Sequence, residues 1–462
     1  MAQSAEAPSG LLSELGERLG DRLSLQPSDL ERHSRDESHH EPHPPWAVAR
    51  CQSVEDVQAV MEVCRRHLCP VVPFGAGSGL EGGAIPIRGG VSLDLSGMNR
   101  VLRVDQEDLD ATVEAGVTLS QLNSGLGPMG LFFPVDPGSD PTIGGMAATR
   151  ASGTMAVRYG TMAANVLGLK VVLASGEVLA AGGRARKSAA GYDLTHLFTG
   201  SEGTLGVIVE VTVRVQPLPE VTAAAVCPMP DLRAAVTAVI ETIQLGVPVA
   251  RIELLDEVMV DAINRFRGME SQVTPTLLLE FQGAPAAVAE QLREVAKLVE
   301  ARGGRLQPRT TPEERSRLWA ARHHALYAAK ALRPNARTWS TDVCVPVSRL
   351  ADCLLETKAD LEGSGVLAPI VGHVGDGNFH LSFVLEEGRQ DQARDAALVH
   401  DRLVARALRM GGTCTGEHGV GIGKLSYLRQ EHPSGIGVMR QLKAALDPLG
   451  ILNPGKVLEA PA

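Results

Sequence analysis

The sequence predicts an α+β protein with two main domains, and three observations support this fold class. At 462 residues the chain exceeds what one hydrophobic core usually serves, so two or three domains are expected. Residues 45–219 contain short strand patterns and most of the glycine-dense loops. Residues 220–445 alternate long helical patterns with strands, which is typical of a second α+β domain.

The composition is typical of a soluble globular protein, with 44% hydrophobic and 21% charged residues. The net charge of −10 argues against nucleic-acid binding and gives no sign of a basic membrane-binding face. No apolar run approaches the length of a membrane span. The seven cysteines are scattered and form no Cys-x-x-Cys motif, which predicts reduced thiols rather than disulfides or an iron–sulfur site.

Residues 1–44 are predicted to be a polar lead-in segment with one short helix, over residues 11–23. Residues 33–45 hold four histidines, which could bind a metal loosely, but no fixed spacing organises them and a solvated segment is expected. The first twenty residues carry three glutamates and one arginine, unlike a secretory signal or a transit peptide. The expected location is the cytoplasm, or the mitochondrion for a trimmed form.

In the first domain, Ser53 is predicted to cap a helix that has acidic residues in its first turn. Ser175-Gly176 is typical of a hairpin turn. The predicted strands cover residues 71–74, 91–95, 111–114, 167–173, 177–179 and 205–215.

In the second domain, the helical periodicity is long and repeats between apolar strand patterns. The predicted helices cover residues 232–245, 285–302, 312–332, 347–362 and 391–410. The predicted strands cover residues 249–254, 276–281, 342–346, 370–374 and 380–385.

The glycine loop, residues 73–83, has glycines at positions 75, 77, 79, 82 and 83. A Rossmann-type dinucleotide loop must open a helix, whereas Gly82 to Pro86 blocks one here and a strand follows. The loop is therefore predicted to cradle an anion with backbone N–H groups, and the alternative is a turn without a ligand. Two more glycine-dense stretches, residues 133–160 and 200–206, suit a long ligand such as a dinucleotide.

His373 and His380 stand at the two ends of a glycine-rich turn. Asp376-Gly377 predicts a tight hairpin that brings the two imidazoles side by side. With Glu417 they could hold one divalent cation, such as Zn, Mn, Fe or Co, and leave a coordination position open for catalysis. His418, beside Glu417, could move a proton. The alternative is that both histidines are hydrogen-bonded core or turn residues.

The glycine-dense loops, in this order, resemble the FAD-binding (PCMH-type) domain of vanillyl-alcohol-oxidase-type flavoproteins. Nearly the whole chain is similar to mitochondrial-type D-lactate dehydrogenases, and more loosely to glycolate oxidase and D-2-hydroxyglutarate dehydrogenase subunits. The motifs that carry the resemblance are PFGAGSGLEGG, FPVDPG, GTMAVRYGTM, RKSAAGYDLTHLFTGSEGTLG, PVARIELLDEVM, ERSRLWAARH, STDVCVPVSRL, GHVGDGNFH, GTCTGEHGVGIGK and LDPLGILNPGKV.

The resemblance implies a two-part FAD-binding domain, followed by an α+β cap domain with an antiparallel sheet, with residues 446–462 returning to the FAD-binding domain. Some members of the family link the flavin covalently through a histidine in the glycine loop. Here no histidine lies between His67 and His196, so the flavin is expected to be bound non-covalently. The implied FAD-binding residues are Pro73, Gly75, Gly77, Ser78, Gly79, Leu80, Pro137, Gly138, Thr142, Gly144, Gly145, Ser152, Gly153, Tyr159, Gly160, Glu202, Gly203, Gly206 and Asn453.

For the cap domain, the resemblance implies that His373, His380 and Glu417 bind the metal and that His418 is the catalytic base. Arg322 would pair with the substrate carboxylate and Asn378 would line the pocket. From the residues alone, Arg322 could instead be a helix-surface charge, and Asn378 a turn residue.

The implied activity is FAD-dependent oxidation of D-lactate, or a similar small D-2-hydroxy acid, to the 2-oxo acid. Metal-assisted proton abstraction by His418 would accompany hydride transfer to flavin N5. Relatives that act on 2-hydroxyglutarate have a lysine where this chain has Ser340 and Thr341, which favours a substrate with one carboxylate. Arg333 and Arg337 could bind a second carboxylate, so a substrate with two carboxylates stays an alternative.

The alternatives are a D-2-hydroxyglutarate or glycolate dehydrogenase, a flavin subunit without its own catalysis, and a metal-binding protein without redox chemistry. The expected electron acceptor is a cytochrome c, a quinone or an electron-transfer flavoprotein. A homodimer is an open possibility.

Overall fold

The computed structural model describes residues 6–459 and divides them into two compact units. The first unit combines the chain up to Ser152, Thr161–Leu218 and the chain from Glu417 onward. The second unit combines Gly153–Gly160 with Pro219–Gly416. The chain leaves the first unit after Leu218 and returns to it at Glu417, whereas the expected return was at residue 446.

Helices occur in both units, and their bounds follow the apolar periodicity of the sequence. In chain order they are α1 (Leu11–Leu19), α2 (Pro27–Arg32), α3 (Val54–Arg66), α4 (Leu119–Leu126), α5 (Ile143–Thr149), α6 (Ala156–Tyr159), α7 (Met162–Asn165), α8 (Leu194–Phe198), α9 (Leu232–Gln244), α10 (Glu257–Arg267), α11 (Pro285–Ala301), α12 (Pro312–His323), α13 (Ala325–Lys330), α14 (Val347–Ser364), α15 (Gln390–Arg409), α16 (Leu425–Glu431) and α17 (Ile436–Leu446), with short 3₁₀ turns at Gly20–Arg22 and Gly127–Met129. Within residues 6–459, none of these helices is both long and apolar enough to cross a membrane.

The first unit contains two main sheets, one of them largely parallel. The four-stranded sheet consists of β1 (Leu23–Ser24), β2 (Ala47–Arg50), β3 (Val71–Phe74) and β4 (Val91–Asp94). Its order is β1-β2-β4-β3, and both β2 and β3 run parallel to β4. Ser53 caps α3 by accepting a hydrogen bond from Asp56 N at 3.2 Å, as predicted.

The second main sheet of this unit is antiparallel, with the order β5-β6-β10-β8-β9. Its strands are β5 (Val101–Asp105), β6 (Asp110–Glu114), β8 (Val166–Val172), β9 (Val178–Gly182) and β10 (Val207–Arg214), and a separate pair is formed by β7 (Leu131–Phe132) and β11 (Gln216–Pro217). The predicted hairpin at Ser175-Gly176 joins β8 to β9, with Gly176 at a φ of +86°. Strand β5 was missed because none of its five residues is buried, two of them are exposed, and polar residues interrupt its apolar pattern.

The second unit is built on one eight-stranded sheet, with the order β15-β12-β14-β13-β18-β19-β16 and with β17 against β19. Its strands are β12 (Val221–Pro228), β13 (Arg251–Leu255), β14 (Thr276–Gly283), β15 (Gln307–Arg309), β16 (Ala336–Ser340), β17 (Val343–Cys344), β18 (Ile370–Gly372) and β19 (Asn378–Glu386). Every pairing in it is antiparallel, as predicted.

The helices of the second unit differ from the prediction at two places. The helix expected over residues 312–332 is two helices, because the chain turns at His324, whose ψ is near 10°. Helix α10 was not predicted, although Asp256 caps its start and Gly268 ends it in a left-handed conformation.

The N-terminal segment is only in part the solvated lead-in that the sequence suggested. Leu11, Leu15 and Leu19 recur every four residues on α1, and all three are buried in the core that also contains Met61 of α3. His33, expected to be solvated, is buried and its Nδ1 lies 2.9 Å from Ser92 Oγ on β4. Helix α1 therefore belongs to the hydrophobic core of the first unit, whereas residues 41–44 are exposed as expected.

Candidate active site

The glycine loop leaves β3 in a conformation that requires glycine at specific positions. Gly77 has a φ of +71°, and a Cβ atom there would lie 2.7 Å from the ring of Phe74. A Cβ atom at Gly75 would collide with the side-chain oxygen of Thr142. Strand β4, not a helix, follows the loop, as the sequence predicted, and this order excludes a Rossmann arrangement.

The second glycine-dense stretch has both packed and open glycines. Thr142 caps α5 by accepting a hydrogen bond from Gly145 N at 3.2 Å. A Cβ atom at Gly144 would lie 2.8 Å from Ala115 O, so this glycine lets the helix pack closely on the chain beside it. A Cβ atom at Gly138 would meet nothing within 4 Å, so a ligand could approach the backbone at this point.

The third stretch connects to the C-terminal part of the chain. The buried Glu202 carboxylate accepts hydrogen bonds from Val420 N at 2.7 Å and Gly421 N at 2.8 Å. Asn453 Nδ2 donates to the carbonyl oxygens of Gly83 and Glu202 at 2.9 and 2.8 Å. Burial raises the pKa of Glu202 above its ordinary value. Glu202 and Asn453 therefore join the first and third glycine stretches to the C-terminal segment of the same unit, a role that the sequence did not show.

Two more of the implied FAD residues have clear local roles. Gly203 has a φ of +69° and packs its backbone on the ring of Pro73. Gly206 lies against Val171, where a Cβ atom would collide with the valine side chain. Both glycines shape the loop whether or not they contact a ligand.

Residues 152–160 are divided between the units, contrary to the expected domain boundary. Ser152 ends a segment of the first unit, whereas Gly153–Gly160 belongs to the second. There Tyr159 donates its hydroxyl hydrogen to Gln282 Oε1 at 2.7 Å, and Arg158 Nη1 donates to Pro248 O at 2.8 Å. Each of these bonds joins residues that are more than 80 positions apart in the chain, so local sequence could not predict them.

The two predicted metal-binding histidines lie side by side in the second unit. The turn between β18 and β19 is closed by hydrogen bonds from Asp376 N and Asn378 N to His373 O, at 3.0 and 3.3 Å. Gly377 has a φ of +80°, and a side chain there would collide with Val345 O. The rings of His373 and His380 are 5.5 Å apart between centroids, and both residues are buried. The predicted hairpin is confirmed.

Hydrogen bonds fix the same tautomer in both imidazoles. His373 Nδ1 lies 2.7 Å from Glu253 Oε1, and His380 Nδ1 lies 2.8 Å from Thr341 O. A carboxylate and a carbonyl only accept hydrogen bonds, so each Nδ1 carries a hydrogen, and in the neutral form of each ring the lone pair is on Nε2. This is the tautomer that a metal-ligating histidine uses, with an oxygen acceptor behind it.

Glu253, which the sequence reasoning missed, also binds Arg322. The carboxylate is completely buried on β13, and its Oε2 accepts from Arg322 Nε at 2.8 Å, with Arg322 Nη2 at 2.6 Å. Burial raises the pKa of Glu253, but the charges of His373 and Arg322 outweigh this and hold that pKa below its ordinary value. The Arg322 side chain is only 11% exposed, so it is no helix-surface charge. The sequence signal that could have identified Glu253 is a charged residue between the apolar residues Ile252 and Leu254.

Asn378 has a larger role than that of a turn residue. Its Nδ2 donates to Asp342 Oδ1 at 2.7 Å and to Val343 O at 2.8 Å. The completely buried Asp342 also accepts from Thr415 Oγ1 at 2.8 Å, and a side chain at Gly416 would collide with the Asn378 amide. Asn378 and Asp342 thus fix the chain just before residue 417.

Glu417 and His418 follow Gly416 directly and belong to the first unit. Their side chains are 14% and 10% exposed, and His418 Nε2 lies 3.8 Å from Glu417 Oε1. Both side chains are therefore largely shielded from water.

Arg333 and Arg337, the two arginines considered as partners of a second substrate carboxylate, lie away from His380. Arg333 pairs with Glu386, and Arg337 lies 3.9 Å from Glu387. In the β16–β19 pairing, Arg337 is opposite Leu385, five residues along the strand from His380. At ~3.3 Å per residue, this places the two positions roughly 17 Å apart.

Comparison with known families shows matches in both parts of the chain. Residues 45–182 match the family described as "FAD binding domain", and residues 218–457 match "FAD linked oxidases, C-terminal domain". The chain is 52% identical to "Probable D-lactate dehydrogenase, mitochondrial" of Danio rerio, over 95% of this chain and 89% of that protein. It is 42% identical to "D-lactate dehydrogenase (cytochrome), mitochondrial" of Arabidopsis thaliana, over 98% of this chain and 81% of that protein.

Among solved structures, the fold is similar to 4-ethylphenol oxidase from Gulosibacter chungangensis, with a TM-score of 0.81 at 18% identity, over 98% of this chain and 99% of that chain. This likeness confirms the predicted fold class, a two-part FAD-binding domain with an α+β cap domain. The family matches together cover most of the sequence, and the resemblance read from the motifs is confirmed. The chain therefore belongs to the family of FAD-linked oxidases that includes the mitochondrial D-lactate dehydrogenases, and it is a flavin-dependent oxidoreductase.

Proposed function

We propose that this protein oxidises D-lactate, or a similar small D-2-hydroxy acid, to the corresponding 2-oxo acid. The observation that carries the proposal is the buried pair His373 and His380, with both Nδ1 atoms bound to oxygen acceptors. This pair, built for a cation, lies in the oxidase domain of a chain whose named relatives are D-lactate dehydrogenases.

The first unit would bind FAD without a covalent bond. Its glycine loop fits a diphosphate because side chains are excluded at Gly75 and Gly77, so the backbone N–H groups stay accessible. The open side of Gly138 supports the expectation that the cofactor continues along this segment. When bound, FAD accepts a hydride from C2 of the substrate.

The divalent cation would be held by Nε2 of His373 and His380 and by the Glu417 carboxylate. Two imidazoles and one carboxylate are a common donor set for a catalytic site with an open position. When bound, the cation acts as a Lewis acid and lowers the pKa of the substrate hydroxyl. The position of Glu417 in the chain supports its place in this set, because the hydrogen bonds of Asn378 and Asp342 hold the chain immediately before it.

The other side chains would bind and deprotonate the substrate. His418 would take the hydroxyl proton on an imidazole nitrogen, and Arg322 would bind the substrate carboxylate. A single carboxylate is favoured, because Ser340 and Thr341 carry no charge and Arg337 is roughly 17 Å along the sheet from His380. The mitochondrial names of the relatives support the mitochondrial alternative for location.

The direct test is an anaerobic half-reaction, in which the flavin absorbance is followed after adding D-lactate, L-lactate, glycolate or D-2-hydroxyglutarate. Rapid bleaching by D-lactate, lost after chelation and restored by Zn or Mn, is the expected result. Bleaching by a different D-acid alone would keep the chemistry and change the substrate. The absence of bleaching by any 2-hydroxy acid, with flavin and metal bound, would contradict the proposal.

The variant His373→Ala tests the metal-binding part of the proposal. It removes one imidazole donor from the second unit, so turnover should fall at least 1,000-fold while the protein stays yellow. The matched control is His432→Ala, which changes an exposed histidine on the C-terminal side of α16. Flavin content, bound metal and D-lactate turnover are measured for both variants. Full activity of His373→Ala would exclude the metal model.

A further inference from the structure

We infer that Glu253 is a positioning residue that orients a metal-binding histidine and the substrate-binding arginine at the same time. The inference rests on the proposed function, because it concerns how that site is held together. Its basis is the position of one buried carboxylate between His373 and Arg322.

The sheet register places Glu253 directly beside His373. Leu254 pairs with Gly372 in the antiparallel β13–β18 ladder, so the preceding residue on β13 stands opposite the residue after Gly372. The Oε1 atom lies 2.7 Å from His373 Nδ1. No part of the Glu253 side chain is exposed, so water does not compete for these hydrogen bonds.

Helix α12 brings the arginine onto the same carboxylate. Arg251 and Glu253 point to one face of β13 because alternate strand residues share a face. Three residues apart on α12, Trp319 covers Arg251 at 4.5 Å and Arg322 covers Glu253. Two Arg322 nitrogens, Nε at 2.8 Å and Nη2 at 2.6 Å, contact the same Oε2 atom, which fixes the plane of the guanidinium.

Only a carboxylate satisfies both neighbours. His373 Nδ1–H and the Arg322 guanidinium are both donors, and a carboxylate offers an acceptor oxygen to each. A glutamine has nearly the same shape, but it must turn its NH₂ group toward one of the two donors. Either the histidine loses the acceptor that fixes its metal-binding tautomer, or the arginine loses its anionic partner. Metal binding and carboxylate binding are therefore coupled through residue 253.

The test compares Glu253→Gln with Glu280→Gln. Glu280 is the matched control, since it is also buried, lies on the neighbouring strand β14 and pairs with Arg251 at 3.5 Å. Zn affinity of the FAD-loaded protein is measured by competition with a chromophoric chelator, and kcat and KM for D-lactate are measured with metal in excess. Glu253→Gln should weaken Zn binding by about 10- to 100-fold and raise KM, with normal flavin content.

The control should keep wild-type Zn affinity, and Glu253→Asp should recover part of the loss because it keeps the charge. Equal Zn affinity of Glu253→Gln and wild type would overturn the inference, and so would an equal loss in Glu280→Gln. If Glu253→Gln does not fold, the Glu253→Asp variant decides: wild-type Zn affinity and KM there overturn the inference, and intermediate values support it. The wild-type half-reaction separates the two proposals, because D-lactate can reduce the wild-type flavin whichever way the Zn comparison turns out.

Discussion

Individual glycines in the cofactor loops have two different roles. Gly75 is required by the protein itself, because a side chain there would collide with Thr142, the cap of α5. Gly138 has no protein neighbour within 4 Å of its Cβ position, so the protein alone does not require it. The sequence predicted both as FAD-binding residues and could not tell these roles apart, because the difference depends on contacts between separate loops.

The pair of variants Gly75→Ala and Gly138→Ala tests this distinction. Gly75→Ala should lower the stability of the flavin-free protein by about 1 kcal/mol or more, since it displaces a helix cap. Gly138→Ala should leave that stability unchanged and weaken FAD binding about tenfold, since its methyl group would enter the ligand side of the loop. Thermal unfolding with and without FAD measures both effects. Wild-type FAD affinity in Gly138→Ala would show that the cofactor does not pass this residue.

At the scale of elements, two aspartates that cap helices differ in the free-energy cost of carrying a negative charge. Asp256 caps α10 by accepting from Met259 N at 2.8 Å, and Asp231 caps α9 by accepting from Ala234 N at 2.8 Å. Asp231 is exposed, whereas Asp256 is buried, and burial raises the pKa of Asp256 to about 7. The folded protein therefore holds the Asp256 proton to a higher pH than the unfolded chain, where an aspartate pKa is about 3.9.

This difference predicts a pH-dependent effect of Asp256→Asn. The contribution of Asp256 to stability is complete below about pH 4 and is lost as the pH rises toward 7, because the folded state must then bury a charge. Asparagine still caps the helix and carries no charge. The unfolding temperature of the variant relative to wild type should rise between pH 5 and pH 8, and Asp231→Asn, at an exposed cap, is the matched control. The same shift in both variants would contradict this account.

At the scale of the whole molecule, the net charge of −10 bears on the electron acceptor. One relative is named a D-lactate dehydrogenase (cytochrome), and a cytochrome c is one of the expected acceptors for this chain. A basic cytochrome c would be attracted to an acidic protein over a distance that salt shortens.

Reduction of a basic cytochrome c by the D-lactate-reduced protein should therefore slow by roughly tenfold when the ionic strength rises from about 0.02 to 0.2 M. Reduction of a small uncharged quinone under the same conditions serves as the control and should change little. Stopped-flow absorbance follows both reactions. A cytochrome rate that is independent of salt would argue against electrostatic steering, and a quinone or another flavoprotein would then be the better candidate.

Local chemistry explains which parts of this structure the sequence could predict. The Asp376-Gly377 turn, the Ser53 cap and the Gly-rich loop without a helix depend on a few adjacent residues, and all three were predicted. The bond between Glu253 and His373 joins residues 120 positions apart, and no local pattern encodes it. The N-terminal leucines were also misjudged, because polar neighbours hid a buried face of α1.

The order of the chain has a consequence for the synthesis of this protein. The second unit is complete once Gly416 has been made, because its only other segment, Gly153–Gly160, comes earlier. The first unit needs the final segment, where Leu452 bridges Val71 and Ile451 O accepts from Val71 N at 2.8 Å. Although domains usually fold from the N-terminus during translation, here the later unit can fold on the ribosome while the earlier one waits for the last residues. FAD would then be captured after the second unit has folded.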